Sequence, residues 1–327
     1  MSVTIKQKFK KILARHYEDL SAIKSIETFL KKKRGYVIRM PKPGSDIIHL
    51  VSGGMDSITT WAILMEKYKL KVHPVAIETG QGKHKSELRS LSFYSKMFKK
   101  RYPDLYVEPF KITYPSSPPE IKQMLTVDLE KTVHPDVIKK YFNANNNTVI
   151  LKRKFLYPAF VAFPAARVAL FFEMQRNKKI RAISTGILPS DGYYNESQTL
   201  TALRGAMFAL CTFTNDYNWQ IFSLCFEKEI HSLYTKADLV KWAYANNLPL
   251  ENTYSCLMNF DKNCGICVNC QVRKKAFKKA GVKDITEYES ESISVHKFMT
   301  QKLAKTHNLV KYKLLHKKKI IIKDYTQ

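Results

Sequence analysis

Ser52-Gly53-Gly54-Met55-Asp56-Ser57 follows an apolar run, Ile47-Ile48-His49-Leu50-Val51, and precedes residues 58–68, whose apolar positions fit a helix. A buried strand, a turn of small residues and a helix form the context that a phosphate-binding loop needs. Two adjacent glycines let the backbone approach an anion and take angles that other residues avoid. Successive backbone N–H groups then face the phosphate, and the helix N-terminus adds partial positive charge. Ser52 and Ser57 add hydroxyl donors, and Ser57 is expected to cap the helix. The stretch is not a Walker loop, because it lacks the lysine that would reach a terminal phosphate.

Outward from this loop, apolar and polar runs alternate in a regular way. Residues 72–78 read as a second strand, 85–102 as a helix, 105–112 as a third strand and 164–175 as a helix opened by a proline. Residues 180–185 read as a fourth strand, 199–213 as a helix and 219–224 as a fifth strand. A last helix runs from Thr235, its cap, to about Asn246, with Asp238 three residues after the cap. Strands and helices alternating at this length predict an α/β fold, a doubly wound, Rossmann-like parallel sheet of five strands. Such sheets bind ligands outside the carboxyl ends of their strands, where the strand order reverses. The loop at 52–57, the loop at Gly80-Gln81 and the loop after Gly186 would share that edge. The chain divides into a basic helical extension over 1–44 and an α/β domain carrying the phosphate-type loop over 45–250, with an insertion at about 115–150. A four-cysteine segment over 251–285 and a basic extension over 286–327 follow.

Lysine and arginine number 55 against 28 aspartates and glutamates, a formal net charge of +27. Such an excess favours polyanionic partners, or a strongly solvated surface. No apolar segment is long enough to cross a bilayer and the N-terminus lacks a signal-peptide core, so a cytoplasmic protein with no membrane partner is expected. Cys211 and Cys225 sit in apolar context and read as buried thiols.

The other four cysteines, Cys256, Cys264, Cys267 and Cys270, are spaced C-x7-C-x2-C-x2-C. A two-residue gap presents two sulfurs to one ion, and four thiolates fill a tetrahedral, structural zinc site. An iron–sulfur cluster also uses closely spaced cysteines.

The SGGMDS loop resembles the SGGxDS loop of the ATP pyrophosphatases, the PP-loop superfamily with its adenine nucleotide alpha hydrolase-like fold. With the cysteines added, the chain from about 47 to 284 resembles the QueC family of 7-cyano-7-deazaguanine synthases, whose closing signature is matched by Ser255-Cys256, Cys264-Gly265, Cys267, Cys270, Arg273 and Phe277. Looser matches are Gly80-Gln81 with His84 and Glu87, Phe163-Pro164-Ala165-Ala166-Arg167, Gly186 with Asp191-Gly192-Tyr193, and Leu233-Tyr234-Thr235-Lys236. The resemblance implies that ATP adenylates the carboxylate of 7-carboxy-7-deazaguanine and that ammonia turns the adenylate into amide and then nitrile. It implies ATP and Mg2+ as cofactors beside a structural Zn2+, and a homodimer. Ser52, Gly53, Gly54, Met55, Asp56 and Ser57 would hold the nucleotide, with Gln81 at the mouth. Asp56, Ser57 and Arg167 would serve catalysis. Arg167, Asp191 and Tyr193 would contact the deazapurine, Asp191 by accepting hydrogen bonds from its guanine-like edge.

The departures from that family gather in the substrate half: Thr79 in place of a tyrosine, the altered FPAAR segment, the insertion and both basic ends. They keep two other readings open. One is a QueC-like enzyme of an antiviral defence system that conjugates an activated deazaguanine to a protein or nucleic-acid acceptor. The other is a non-enzymatic, zinc-containing nucleic-acid-binding module.

Overall fold

The computed structural model describes residues 5–78, 84–113, 161–193, 195–258 and 261–290. The expected insertion, Gln81 and most of the basic C-terminal extension lie outside the described residues.

Five parallel strands form the sheet, in the order β3-β2-β1-β4-β5. They are β1 (Asp46–Val51), β2 (Lys71–Glu78), β3 (Phe110–Thr113), β4 (Ala182–Thr185) and β5 (Gln220–Ser223). The central strand is buried from Ile47 to Val51, which is why it reads as an unbroken apolar run rather than an alternating one. Leu50 pairs with Val75 on one side, and Ile48 with Ile183 on the other. The chain therefore leaves β1 toward β2 and β3, returns to β4, and continues away to β5. The reversal falls between β1 and β4, and the carboxyl end of β1 is the SGGMDS loop, which sits at the switch point.

Helix α1 (Ile5–Leu13) and helix α2 (Leu20–Arg34) precede the sheet. Helix α3 (Met55–Glu66) leaves the loop and carries ten buried residues, Trp61 among them. Helix α4 (His84–Arg101) leads to β3, α5 (Phe163–Arg176) to β4, and α6 (Leu200–Thr214) to β5. Right-handed crossovers put α3 and α4 on one face and α5 and α6 on the other. Helix α7 (Lys236–Ala245) packs on α3, and α8 (Val268–Ala280) packs on α7. A short hairpin, β6 (Phe226–Glu227) with β7 (Ser232–Leu233), joins β5 to α7.

Helix α2 packs along α6, burying Ile23 and Leu30. Its Glu27 reaches Arg204 at 3.0 Å, and Arg204 forks onto both carboxylate oxygens of Glu227 at 2.8 and 2.9 Å. Arg204 is fully buried, so losing either acid would strand a charge away from water.

Two sequence expectations shift. The third strand begins at Phe110, and only an isolated bridge from Tyr106 to Val72 marks the stretch before it. The helix after the loop begins at Met55, three residues early, with Gly54 at its cap position and no side chain capping it. Ser57 is therefore not the cap. Its Oγ instead accepts from the Ser52 N–H at 3.2 Å and donates to the Gly54 carbonyl at 3.1 Å, closing the turn on itself. The cap at Thr235 is found as expected: it and Asp238 form a reciprocal capping box.

Candidate functional site

The loop's shape depends on Gly53. Its φ is +73°, in the left-handed region, and a Cβ built there would lie 2.5 Å from the Glu87 carbonyl oxygen at the start of α4. Its own carbonyl accepts from the Tyr254 N–H at 3.0 Å and the Ser90 hydroxyl at 2.7 Å. The loop is thus anchored through its carbonyls. The N–H groups of Gly53, Met55 and Asp56 have no partner among the described residues, and the last two lie in the first turn of α3, where no intrahelical acceptor exists. Met55 itself is buried in the core, so it offers the site its backbone only.

From the opposite side, Gly186 at the end of β4 sits against the same helix start. A Cβ there would lie 2.9 Å from the Ser57 Cα, so no larger residue fits without moving the loop. Below the loop, His49 is fully buried, and its Nε2 is 2.9 Å from the Ser57 carbonyl oxygen. Burial lowers its pKa to about 4, so the ring is neutral and its Nε2–H donates to that carbonyl.

Asp56 lies on the first turn of α3 and pairs through Oδ2 with Lys236 Nζ at 2.6 Å. Its Oδ1 is buried with no hydrogen-bond partner among the described residues. Lys236 opens α7, and the capping box at Thr235 fixes where it starts. Asp191 lies on the same side, in a 3-10 turn over Asp191–Tyr193, and accepts the Leu188 N–H at 2.9 Å. Burial pushes the Asp191 carboxyl up to about 6, the charge of Asp56 adds to the rise, and Lys236 opposes it. Burial alone would lower the lysine's pKa, but Asp56 and Asp191 outweigh it and hold the ammonium above its ordinary value. An acid–base–acid cluster therefore stands beside the open N–H groups. A carboxylate oxygen without a donor, beside a phosphate loop, fits a magnesium ion or its bound water.

A cleft of about 420 Å³, open to solvent, continues from Val51 and Ser52 between the ends of β2 and β3 and helix α4, with Glu78, Glu87 and Lys111 among its walls. Of the other expected residues, Tyr193 is mostly exposed on the Asp191 turn, and Arg167 is exposed on α5 with no hydrogen bond or ion pair among the described residues. Gln81 lies outside the described residues, as does the side chain of His84.

The four late cysteines come together. All four Sγ atoms are buried and lie within 4.8 Å of one another, with Cys264 to Cys270 at 3.9 Å and Cys256 to Cys267 at 4.0 Å. Four thiolates around one tetrahedral ion at about 2.3 Å place the sulfurs about 3.8 Å apart, so the set fits a single ion. Backbone N–H groups of Met258, Cys264, Cys267 and Cys270 point at sulfurs from 3.2 to 3.4 Å. The segment is tied down by Arg273, fully buried, which donates to Thr253 Oγ1 and the Leu250 carbonyl, both at 2.6 Å, and to Thr286 Oγ1 at 2.7 Å.

The sheet order and the loop at its switch point define an α/β fold whose loop has the form of a phosphate-binding turn. Residues 230–281 match the family model described as "Queuosine biosynthesis protein QueC". The chain is 47% identical over 55 residues to the 7-cyano-7-deazaguanine synthase of Methanosphaera stadtmanae, a match spanning 17% of this chain and 24% of that protein. It is 26% identical over 260 residues to that of Prochlorococcus marinus, spanning 73% of this chain and 96% of that one. Among solved structures, the U34-tRNA thiolase NcsA from Methanococcus maripaludis with its [4Fe-4S] cluster is similar at 12% identity, covering 98% of this chain and 88% of that one, with a TM-score of 0.33.

Sequence reasoning missed Lys236 as a partner of Asp56, and Tyr254 as the anchor of Gly53. Lys236 stood inside a quoted motif, but its 180-residue separation from Asp56 gave no local signal of the pairing.

Proposed function

We propose that the protein is an ATP-dependent synthase that activates the carboxylate of 7-carboxy-7-deazaguanine and transfers it to ammonia. The observation that supports this most is the loop at 52–57. Its Gly53, Met55 and Asp56 N–H groups have no acceptor among the described residues, at the switch point of a parallel sheet, in a chain whose 230–281 segment is QueC-like.

A carboxylate resists attack because oxide is a poor leaving group. Its oxygen attacks the α-phosphorus of ATP, the α–β bridging bond breaks, and pyrophosphate leaves into the loop formed by Ser52, Gly53, Gly54 and Ser57. Ammonia then adds to the acyl carbon, AMP leaves with the former carboxylate oxygen, and a proton is lost, giving the amide. A second ATP activates the amide oxygen in the same way, with pyrophosphate leaving, and loss of AMP and of both N–H protons leaves the nitrile. Fixed N–H dipoles act here because they need no reorganisation as charge moves onto the leaving pyrophosphate. Magnesium would be held by Asp56 and the phosphates and would neutralise that charge. Lys236, paired with Asp56 in the described structure, would share that charge with the phosphates. Asp191 would accept from the N1–H and 2-amino groups of the base, with Tyr193 beside it, and Arg167 would pair with the substrate carboxylate. The cysteine set favours zinc over a four-iron cluster, since in a cluster each sulfur binds a different iron and must stand further from its neighbours.

The charge of +27 favours a second reading, in which the activated acyl group passes to a protein or nucleic-acid acceptor instead of ammonia. Mass spectrometry of a reaction with ATP, 7-carboxy-7-deazaguanine and ammonia tests both. Nitrile with AMP and pyrophosphate is the expected result, and AMP with a mass-shifted acceptor supports conjugation. No ATP consumption, together with tight salt-dependent nucleic-acid binding, would replace both readings with a binding module. Asp56→Ala is expected to abolish ATP consumption, and retained turnover removes Asp56 from the site.

A further inference from the structure

Four residues between α1 and α2, Arg15, Tyr17, Glu18 and Asp19, grip the loop that carries Asp191. Arg15 Nη1 donates to the Pro189 carbonyl at 2.6 Å and to the Tyr17 hydroxyl at 2.7 Å, and Tyr17 Oη donates to the same carbonyl at 3.1 Å. The Tyr17 ring lies flush against Gly192: a Cβ there would come within 2.7 Å of its Cε2 and 2.9 Å of Thr199 Cγ2. Gly192 is therefore a glycine for want of room. At the far end of the loop, Glu18 accepts from the N–H groups of Leu200 and Thr201 at 3.0 and 2.9 Å, and from the Thr201 hydroxyl at 2.7 Å. A carboxylate at the N-terminus of α6 also complements the helix dipole. Asp19 N–H completes the set by donating to Thr201 Oγ1 at 2.8 Å.

The loop is thus clamped from outside at Pro189, Gly192 and Thr201. From inside, the Ser223 hydroxyl donates to the Ile187 carbonyl at 2.5 Å, and the Leu188 N–H fixes Asp191 Oδ2. One Asp191 oxygen is held by its own turn, so the direction of the carboxylate depends on how that turn is held. Every outer clamp comes from residues more than 170 positions away in the chain.

We propose that Tyr17 and Glu18 are positioning residues for substrate selection: they hold the Asp191 turn in register with Asp56 and Lys236, so the N-terminal segment forms the outer wall of the deazapurine site. This rests on the reading that Asp191 accepts from the N–H edge of the base. A side chain that sets the aim of a hydrogen-bond acceptor acts on the ligand which that acceptor reads, and leaves the phosphate loop alone.

Steady-state kinetics of the full-length protein, with 7-carboxy-7-deazaguanine and ATP varied separately, tests it. Tyr17→Ala is expected to raise the KM for the deazapurine roughly ten-fold and to change the KM for ATP less than about two-fold. Tyr17→Phe keeps the ring against Gly192 and is expected to restore most of the loss, while Glu18→Gln gives a smaller rise of the same kind. Hydrogen exchange supplies the second measurement: amides of residues 187–193 are expected to exchange faster in Tyr17→Ala, with those of β1 and α3 unchanged. An unchanged deazapurine KM, a parallel rise in both KM values, or unchanged exchange in the loop overturns the proposal. A wild-type protein that binds no deazapurine sinks the underlying reading instead. A wild type that binds it, with Tyr17→Ala binding equally well, sinks this inference alone.

Discussion

The phosphate loop and the cysteine segment are both tight turns of small residues ahead of a helix, and they spend their backbone N–H groups in opposite ways. Around the cysteines, four N–H groups are committed to sulfur within the protein. In the loop, those of Gly53, Met55 and Asp56 have no acceptor among the described residues, while the Gly53 carbonyl is held twice. A turn that satisfies its own donors is finished as structure. A turn that leaves some of its donors unspent has them available for a ligand. The two are joined, because the Gly53 carbonyl accepts from Tyr254, two residues before Cys256, and Thr253 and Ser255 both receive Arg273. The closed turn serves as a mount for the open one.

The sharpest way to break this comparison is Gly53→Ala. The added methyl meets the Glu87 carbonyl, and the backbone must hold a left-handed φ, so about 2–4 kcal/mol of stability is expected to go, measured by denaturant unfolding. ATP binding, followed by equilibrium titration, should fall below detection. Retained ATP affinity would mean that the open N–H groups are not the phosphate site. The next effect comes from the mount. Removing the metal with a chelator, or replacing Cys256 with serine, is expected to loosen residues 253–255 and the hydrogen bond to Gly53. ATP affinity should then weaken roughly ten-fold, the worth of one well-placed hydrogen bond, before any global unfolding is seen. If affinity holds while the metal is lost, the two turns are independent and the cysteine segment stabilises only its own end of the molecule.

The two turns also differ in how far the sequence disclosed them. Both were legible as short-range patterns, since SGGMDS needs only its flanking strand and helix, and the cysteines need only their spacing. The parallel five-stranded sheet followed from the alternation of runs, and Thr235 with Asp238 from a three-residue spacing. The cap at Gly54 in place of Ser57 was not legible, because the choice depends on how Glu87 and Tyr254 hold Gly53. The joints between elements were equally hidden. Lys236 with Asp56, Glu27 with Arg204 and Glu227, and Tyr17 against Gly192 all bring together residues far apart in the chain. Periodicity and local motif carry no information about such pairs. The late start of the third strand has the same origin: residues 105–109 alternate well enough for a strand, but only one bridge forms there.

The smallest expected effect concerns pH and separates the nucleotide side of the site from the base side. In the proposed reading, the loop at 52–57 holds phosphate through backbone groups, which do not titrate between pH 5 and 8. Asp191 does titrate, with burial holding its carboxyl near 6. Because that value lies above the ordinary 3.8 of aspartate, the folded protein takes up this proton more readily than the unfolded chain. Stability from Asp191 is therefore complete below about pH 3.8 and lost as pH rises through about 6, whereas binding of a ligand that donates to the carboxylate is gained over the same rise. Affinity for the deazapurine is expected to increase about four-fold between pH 5.5 and pH 7 and then level off, with ATP affinity following only the phosphate's own titration. Asp191→Asn should bind the base more weakly and flatten the profile. Calorimetric titrations of each ligand across this range give the comparison directly. Equal pH profiles for the two ligands would remove Asp191 from the base side of the site.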